Sequence, residues 1–508
     1  MPEHQDDERS AFPSPTYARV ILQPAFDFAR EHLFGPMLAA NKAHAVMLIE
    51  QGIIDAESGG RLLNAILQAE ADSPDHFQYE PSVEDLFFLV ERRIIEIAGA
   101  DAGGNLQLGR SRNDLSAALC RMALRRRLLD VAASANRLRA QLADLATEHV
   151  DTLMAGVTHT QVAQPTTLGH YLLGVLGPLE RDAERIEQAF RHTNRSPLGV
   201  AAFTSSSLPV DRERVAALLG FDGLVENGYD AVGAADYMLE SVASLRILCL
   251  SLVRFVNDLL IWCRSDVALA TVGDEFIQVS SIMPQKRNPV VLEHIRARIG
   301  YVVGDAATVE AMVHGAAFGD TVDVEDEIFV PLLHCCDHTQ SVLTLLRDVL
   351  ATIRFDTKRM ESAARAGFGS STELAERLTS DYGIPFRQAH RIVSRLVDEL
   401  IASGRDLFSL TPEMLRDATI NLSGVDVDIN TVELRHILDP VEVVTRRTTP
   451  GGPARSTVLE ALERERTDQA QRGSWIDAQV RSLESAGEEL ERLARDYARA
   501  DRRHTGSE

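Results

Sequence analysis

Cations are the first thing this chain is short of. Lysine and arginine number 52 against 75 aspartates and glutamates, a formal net charge of −23 over 508 residues. That balance argues against a nucleic-acid or anionic-membrane partner, since either needs a face rich in positive charge. It leaves room for a small anionic substrate, because a few arginines and lysines can set the potential of one cleft. Cysteine is also scarce. Cys120, Cys249, Cys263, Cys335 and Cys336 form an odd, scattered set, read as reduced intracellular thiols rather than a disulfide framework. No uninterrupted apolar run is long enough to span a membrane, and Met1 to Pro15 is acidic and polar where a secretion signal would be basic and then apolar. These features predict a cytoplasmic protein with no membrane partner. Neither a Gly-rich phosphate loop nor a Cys-x-x-Cys pair occurs, so no nucleotide cofactor and no metal is expected. His334 and His338, one helical turn apart, have a spacing that can bind zinc; the preferred reading is a partly buried helix face inside a bundle.

What is present looks like an ordinary folded chain, 45% hydrophobic and 25% charged. Its length exceeds what one core usually serves and predicts about three domains. Apolar residues recur at helical spacing along most of it, so the predicted fold class is all-α. Tyr17 to Ala98 reads as mainly helical, ended by Gly103-Gly104. Long helices are then predicted over Leu115–Val150, Thr167–Asn194, Ala231–Ser265, Val290–His314 and Asp326–Ile353. Leu115–Val150 contains neither proline nor glycine, which makes it a rod suited to a bundle. After Phe355 the elements shorten. Helices are expected over Ser371–Ser380 and Phe386–Ser403, and separate ones over Thr457–Arg464 and Trp475–Ala498 beyond the breaker Thr449-Pro450-Gly451-Gly452-Pro453. The resulting division is 1–110, 111–358 and 359–508, with flexible tails at Met1–Pro15 and Asp501–Glu508.

Polar segments punctuate this pattern at Gly109–Asp114, Thr158–Gln161, Thr204–Ser207 and Ser280–Pro289. Each is expected to adjoin a long helix, whose first N–H groups and dipole favour a carboxylate. Arg112 brings a planar fork matched to a carboxylate, while Asn113, Thr158 and Asn288 offer neutral donors. Together they make the inventory of a dicarboxylate cradle. The last segment, Ser280-Ser281-Ile282-Met283-Pro284-Gln285-Lys286-Arg287-Asn288-Pro289, packs two hydroxyls, a cation and an amide into one proline-stiffened loop, an unusual set for an idle turn.

That loop resembles the SSxMPxKxN signature of the fumarase/aspartase superfamily. Gly109-Arg110-Ser111-Arg112-Asn113-Asp114 resembles the GRSRND motif of its argininosuccinate lyase branch, and Thr158 to Pro165 resembles the THxQxAQP motif. Ser196-Pro197-Leu198-Gly199 with Leu208 to Arg212, and Leu438-Asp439-Pro440 with Arg446 to Gly452, are similar to further segments of that branch. The likeness runs from about Ala39 to Leu462. It implies an almost all-helical fold of three domains and a homotetramer built on a core of roughly twenty helices. Active sites would then be shared between three subunits. It also implies reversible anti-elimination from a succinyl group to give fumarate. By position, Ser280 would be the base that removes the Cβ proton, with Lys286 and Asn288 stabilising the aci-carboxylate and His159 paired with Glu293. Ser111, Arg112, Asn113, Thr158, Gln161, Ser281 and Met283 would contact substrate.

The branch's leaving-group residues are not all matched. Gln107-Leu108 stands where the branch has His-Thr, Gly233-Ala234-Ala235-Asp236 where it has Ser-Asp-Arg-Asp, and Val290 where it has Asp. Its Tyr-Asn-x-Asp-Leu-Gln-Glu-Asp-Lys segment corresponds to Gly319 through Glu327, without the Tyr, Gln and Lys. The acids of that stretch read equally as a cradle for a cationic amine and as a solvated face. A C–N lyase acting on an N-substituted aspartate, similar to ethylenediamine-disuccinate lyase, is therefore expected. Argininosuccinate lyase and a non-catalytic structural tetramer are the alternatives.

Overall fold

A computed structural model describes residues 12–81 and 83–504. Helices α1 (Gln23–His32), α2 (Phe34–Glu50), α3 (Ala56–Ala71) and α4 (Leu86–Ala98) open the chain. Asp55 and Asp85 accept the N–H groups of Ser58 and Phe88, capping α3 and α4. Of the expected N-terminal tail, residues 1–11 lie outside the described residues, and Ser14 already caps a short turn at Pro15–Tyr17.

Helix α5 (Arg112–Glu148) runs for 37 residues. A two-stranded antiparallel hairpin follows, β1 (Leu153–Thr158) and β2 (Gln161–Thr167). Next come α6 (Leu168–Thr193), α7 (Asp236–Trp262), a minimal hairpin of β3 (Gln278–Val279) and β4 (Arg287–Asn288), α8 (Val290–Gly315) and α9 (Phe329–Thr352). Helices α5 to α9 pack on one another as a bundle. Their bounds fall close to those expected from periodicity, except that the stretch expected as Ala231–Ser265 breaks at Ala234-Ala235, between a short helix Gly228–Gly233 and α7.

Helices α10 (Ser371–Tyr382), α11 (Phe386–Ala402) and α12 (Pro412–Ser423) surround a second, separate core built on Leu374, Leu378, Ile392, Leu396 and Leu415. Gly383 and Gly424 end α10 and α12 at φ 67° and 74°, a left-handed conformation that glycine adopts without steric penalty.

The chain ends differently from expectation. Thr457–Arg464 and Trp475–Ala498 belong to one helix, α13 (Arg455–His504), of 50 residues. It packs along α2, α3, α5 and α6, and its Val458, Leu462, Ile476 and Leu490 join the large core. The polar stretch between the two expected helices is held by buried ion pairs. Arg139 on α5, 0% exposed, donates to Glu465 at 2.9 Å and Asp468 at 2.7 Å. Of the expected C-terminal tail, Asp501–His504 continue the helix and the last residues lie outside those described. Among the described residues no helix is long and apolar enough to cross a membrane.

Candidate active site

Gly109 to Asp114 forms the start of α5. Ser111 is its N-cap: Ser111 N–H donates to Asp114 Oδ1 at 2.9 Å, the Ser111 hydroxyl donates to Asn113 Oδ1 at 2.5 Å, and Asn113 N–H reaches back to Ser111 Oγ at 3.5 Å. Asp114 is fully buried and also accepts N–H groups from Gly199 at 2.8 Å and Ala201 at 3.0 Å. Burial raises its carboxyl to about 6, against the opposing pull of these donors and of Arg110. One carboxylate thus ties the helix start to the Ser196–Gly199 loop. That loop is clamped from its other side by Arg212, whose Nε donates to Leu198 O at 2.8 Å and whose Nη2 donates to Val225 O at 2.7 Å. Gly199 sits at φ 85°, where a Cβ would also come within 2.6 Å of Arg212 Cγ.

The groups expected to meet a carboxylate already have partners. Arg112 pairs with Asp85 at 2.8 Å and Glu84 at 3.5 Å, and its guanidinium lies 4.8 Å above the Phe88 ring. Asn113 Nδ2 donates to the Asp320 carboxylate. Asp320 and Glu325 are only partly exposed and line a narrow crevice with Asn113, Ala117 and Ala234, whereas Asp323 and Glu327 face solvent. The acidic stretch is therefore divided: one part is a solvated face and the other turns toward Asn113. Burial, helped by Asp320 and Asp326, raises Glu325 to about 8.

Thr158, His159, Thr160 and Gln161 lie at the exposed tip of the β1–β2 hairpin rather than at a helix start, so a helix dipole does not serve them. Thr158 and Gln161 are register partners, and His159 and Thr160 make the turn at φ 50° and 65°. Two-residue hairpin turns of this hand favour Asn and Gly. A β-branched threonine there is strained by about 1–3 kcal/mol, and such strain concentrates at functional sites. The hairpin is clasped from the C-terminal region. Arg447 Nη1 donates to Gln164 Oε1 at 2.9 Å, His170 Nε2 contacts Gly451 O at 3.0 Å, and a Cβ at Gly369 would meet Ala163 O at 2.9 Å. The Thr204–Ser207 segment, also expected beside a long helix, is an irregular loop in which Ser206 Oγ accepts the Leu208 N–H at 3.1 Å.

Ser280 opens the loop between β3 and β4. Its Oγ accepts the N–H groups of Met283 at 3.0 Å and Ile282 at 3.3 Å. The Lys286 N–H closes a turn onto Met283 O at 3.0 Å, Asn288 pairs with Gln278 across the strands, and Ser281, Met283 and Lys286 are exposed. Glu293 projects from the exposed face of the first turn of α8. Two N–H groups aimed at one hydroxyl oxygen favour negative charge on it, the condition under which a serine can act as a base. Among the described residues, no hydrogen bond or ion pair joins the Ser111, Thr158 and Ser280 segments to one another. His338 is engaged structurally, bonded to Asp305 at 2.8 Å and stacked on Tyr301.

Asp85 was not anticipated as part of the site, and the partners that Asp114 and Asp320 take, the Gly199 loop and Asn113, were not anticipated either. The cap that Asp114 makes could have been read from its place in a capping box; Asp85 and the partner of Asp320 carry no local signal.

Comparison with known proteins decides the family. Residues 33–304 match the Lyase family and residues 368–445 the Argininosuccinate lyase C-terminal family. The chain belongs to the fumarase/aspartase lyase superfamily. Within it, the chain is 32% identical to argininosuccinate lyase 1 of Shouchella clausii, over 96% of this chain and 98% of the relative. It is 35% identical to argininosuccinate lyase 2 of Agrobacterium fabrum, over 90% and 91%. Among solved structures, an EDDS lyase variant with bound fumarate superposes with a TM-score of 0.86 at 26% identity, covering 97% of both chains. Class II fumarase from Schistosoma mansoni shares the fold, with a TM-score of 0.66 at 16% identity, over 84% of this chain and 92% of that one. The Lyase match spans the Gly109–Asp114, Thr158–Gln161 and Ser280–Pro289 segments.

Proposed function

We propose that this chain is a C–N lyase that removes an amine from an N-substituted aspartate by reversible anti-elimination, giving fumarate. The observation that carries the reading is the Ser280 oxygen held by two backbone N–H groups within a superfamily signature loop. Ser280 Oγ takes the Cβ proton, and the electron pair left behind spreads into the neighbouring carboxylate as a doubly charged aci-carboxylate. Lys286 and Asn288 stabilise that charge as it develops, where preorganised donors lower a barrier most. The Cα–N bond then breaks and fumarate forms. Asn113 and Thr158 hold carboxylate oxygens, with Ser111, Arg112, Gln161, Ser281 and Met283 around them; His159 and Glu293 form a pair that can handle the second proton.

This chemistry needs segments that do not touch within one chain, and the reading therefore includes a homotetramer whose active sites take loops from three subunits. It is supported by apolar side chains left uncovered beside those loops: Ile282 is 83% exposed, Val279 70% and Val157 59%. A cytoplasmic location is part of the same reading.

The amine half favours a leaving group without a carboxylate of its own. Gly233 to Asp236 supplies no cation, Arg112 is paired with Asp85 and Glu84, and the crevice beyond Asn113 presents Asp320 and Glu325. Argininosuccinate, whose amine half carries a carboxylate, is the second reading, favoured by the relatives that bear that name.

The test is a screen of amines with fumarate, following the loss of fumarate absorbance in the ultraviolet. Addition of an amine lacking a carboxylate is expected, with kcat falling about 10²–10⁴-fold in Ser280→Ala. Cleavage of argininosuccinate with no other amine accepted establishes the second reading. Undiminished turnover in Ser280→Ala removes the base assignment, and no turnover with any substrate leaves a non-catalytic tetramer.

A further inference from the structure

The connector between α8 and α9 is held tightly where it crosses the short helix Gly228–Gly233. A Cβ at Gly233 would come within 2.8 Å of Gly319 N and 2.9 Å of Gly319 Cα. That close approach delivers the next residue, Asp320, to the Asn113 side chain, which donates to its carboxylate. The Asn113 amide has little freedom to choose, because its oxygen is already engaged by the Ser111 hydroxyl at 2.5 Å. Its Nδ2 is thus the end left to meet a carboxylate, and the carboxylate it meets belongs to the protein. The neighbouring Arg112 is in the same condition, with Asp85 at 2.8 Å. Among the described residues Asp320 has no ion pair. It stands against Glu325, whose carboxyl burial and Asp320 push up to about 8, and the nearest cation, Arg112, is already paired with Asp85 and Glu84. A carboxylate so placed is bound weakly and is displaced readily by a better-compensated one.

We propose that Asp320 is an internal stand-in for a substrate carboxylate, occupying Asn113 in the free enzyme and turning its side chain away when a dicarboxylate binds. The inference rests on the reading of this site as a dicarboxylate seat. Its consequence is that the affinity for fumarate or succinate is set partly by competition from within the chain. Removing the competitor tightens binding, whereas removing an ordinary binding or structural residue weakens it.

The experiment is calorimetric titration of succinate, an unreactive dicarboxylate, into full-length wild type, Asp320→Asn and Asp320→Ala, with folding checked by circular dichroism. Release of the competing hydrogen bond is expected to tighten binding about 5-fold in Asp320→Ala, and less in Asp320→Asn, whose amide oxygen can still accept from Asn113. In an Asn113→Ala background the same Asp320→Ala change is expected to give no gain, a result that a merely structural role would not produce. Unchanged or weaker binding in folded Asp320→Ala overturns the inference while leaving the lyase reading to its amine screen. Failure of every folded protein to bind succinate removes the dicarboxylate seat, and the inference with it.

Discussion

Replacing Asp114 with alanine separates the structural role of the Gly109–Asp114 motif from its chemistry. The side chain is 0% exposed and accepts N–H groups from Ser111 at 2.9 Å, Gly199 at 2.8 Å and Ala201 at 3.0 Å. Alanine leaves three partly buried donors without this partner, and each unsatisfied group costs about 1–3 kcal/mol when water does not reach it. Partial relaxation of the Gly199 loop keeps the expected loss of stability near 3–6 kcal/mol at pH 5. The pH dependence has a definite sign. The carboxyl is raised from 3.8 to about 6 in the fold, so its ionisation opposes folding. The stability it contributes is fully present below the unfolded value and declines as pH rises through the folded one. The gap between wild type and Asp114→Ala is therefore expected to narrow by about 1.4 kcal/mol between pH 5 and pH 8. Denaturant unfolding followed by far-ultraviolet circular dichroism, at fixed protein concentration and at both pH values, measures this directly. An Asp114→Ala protein within about 0.5 kcal/mol of wild type at pH 5, or a gap that widens with pH, would refute the reasoning.

Two further perturbations follow from buried charges. Glu325→Gln removes an acid that burial and Asp320 hold at about 8. Its ionisation opposes folding between the unfolded carboxyl range and that value, so the variant is expected to be more stable than wild type by several kcal/mol at pH 8.5, at most about 5, and indistinguishable from it at pH 4, read as thermal midpoints. Arg139→Ala strands Glu465 and Asp468 beneath α13 and is expected to cost about 3–5 kcal/mol, while Arg139→Met, which fills the space without restoring the charge, loses less. Equal losses in the two variants would mean that the ion pairs, not the packing of the stem, carry the stability.

Much of the fold was legible because it is local. The ends of α5, α6, α8 and α9 follow from apolar spacing and from caps such as Ser111 and Thr167, all of which lie within a few residues of the feature they determine. The β1–β2 hairpin was not legible. Its turn uses His159 and Thr160 in a left-handed conformation that sequence normally signals with Asn or Gly, and Val157 and Val162 lie exposed instead of marking a buried face. The continuity of α13 was hidden for a related reason: its polar middle is stabilised by Arg139, more than three hundred residues earlier in the chain.

The site divides in the same way. Sequence alone determined the superfamily, because the Gly109–Asp114, Thr158–Pro165 and Ser280–Pro289 runs are contiguous motifs. Tertiary structure decided who occupies their polar groups. Asp320 on Asn113, Asp85 on Arg112 and Arg447 on Gln164 join positions far apart in the chain. A carboxylate is recognised by whichever donor the fold brings within about 3 Å of it, and no local pattern records that distance.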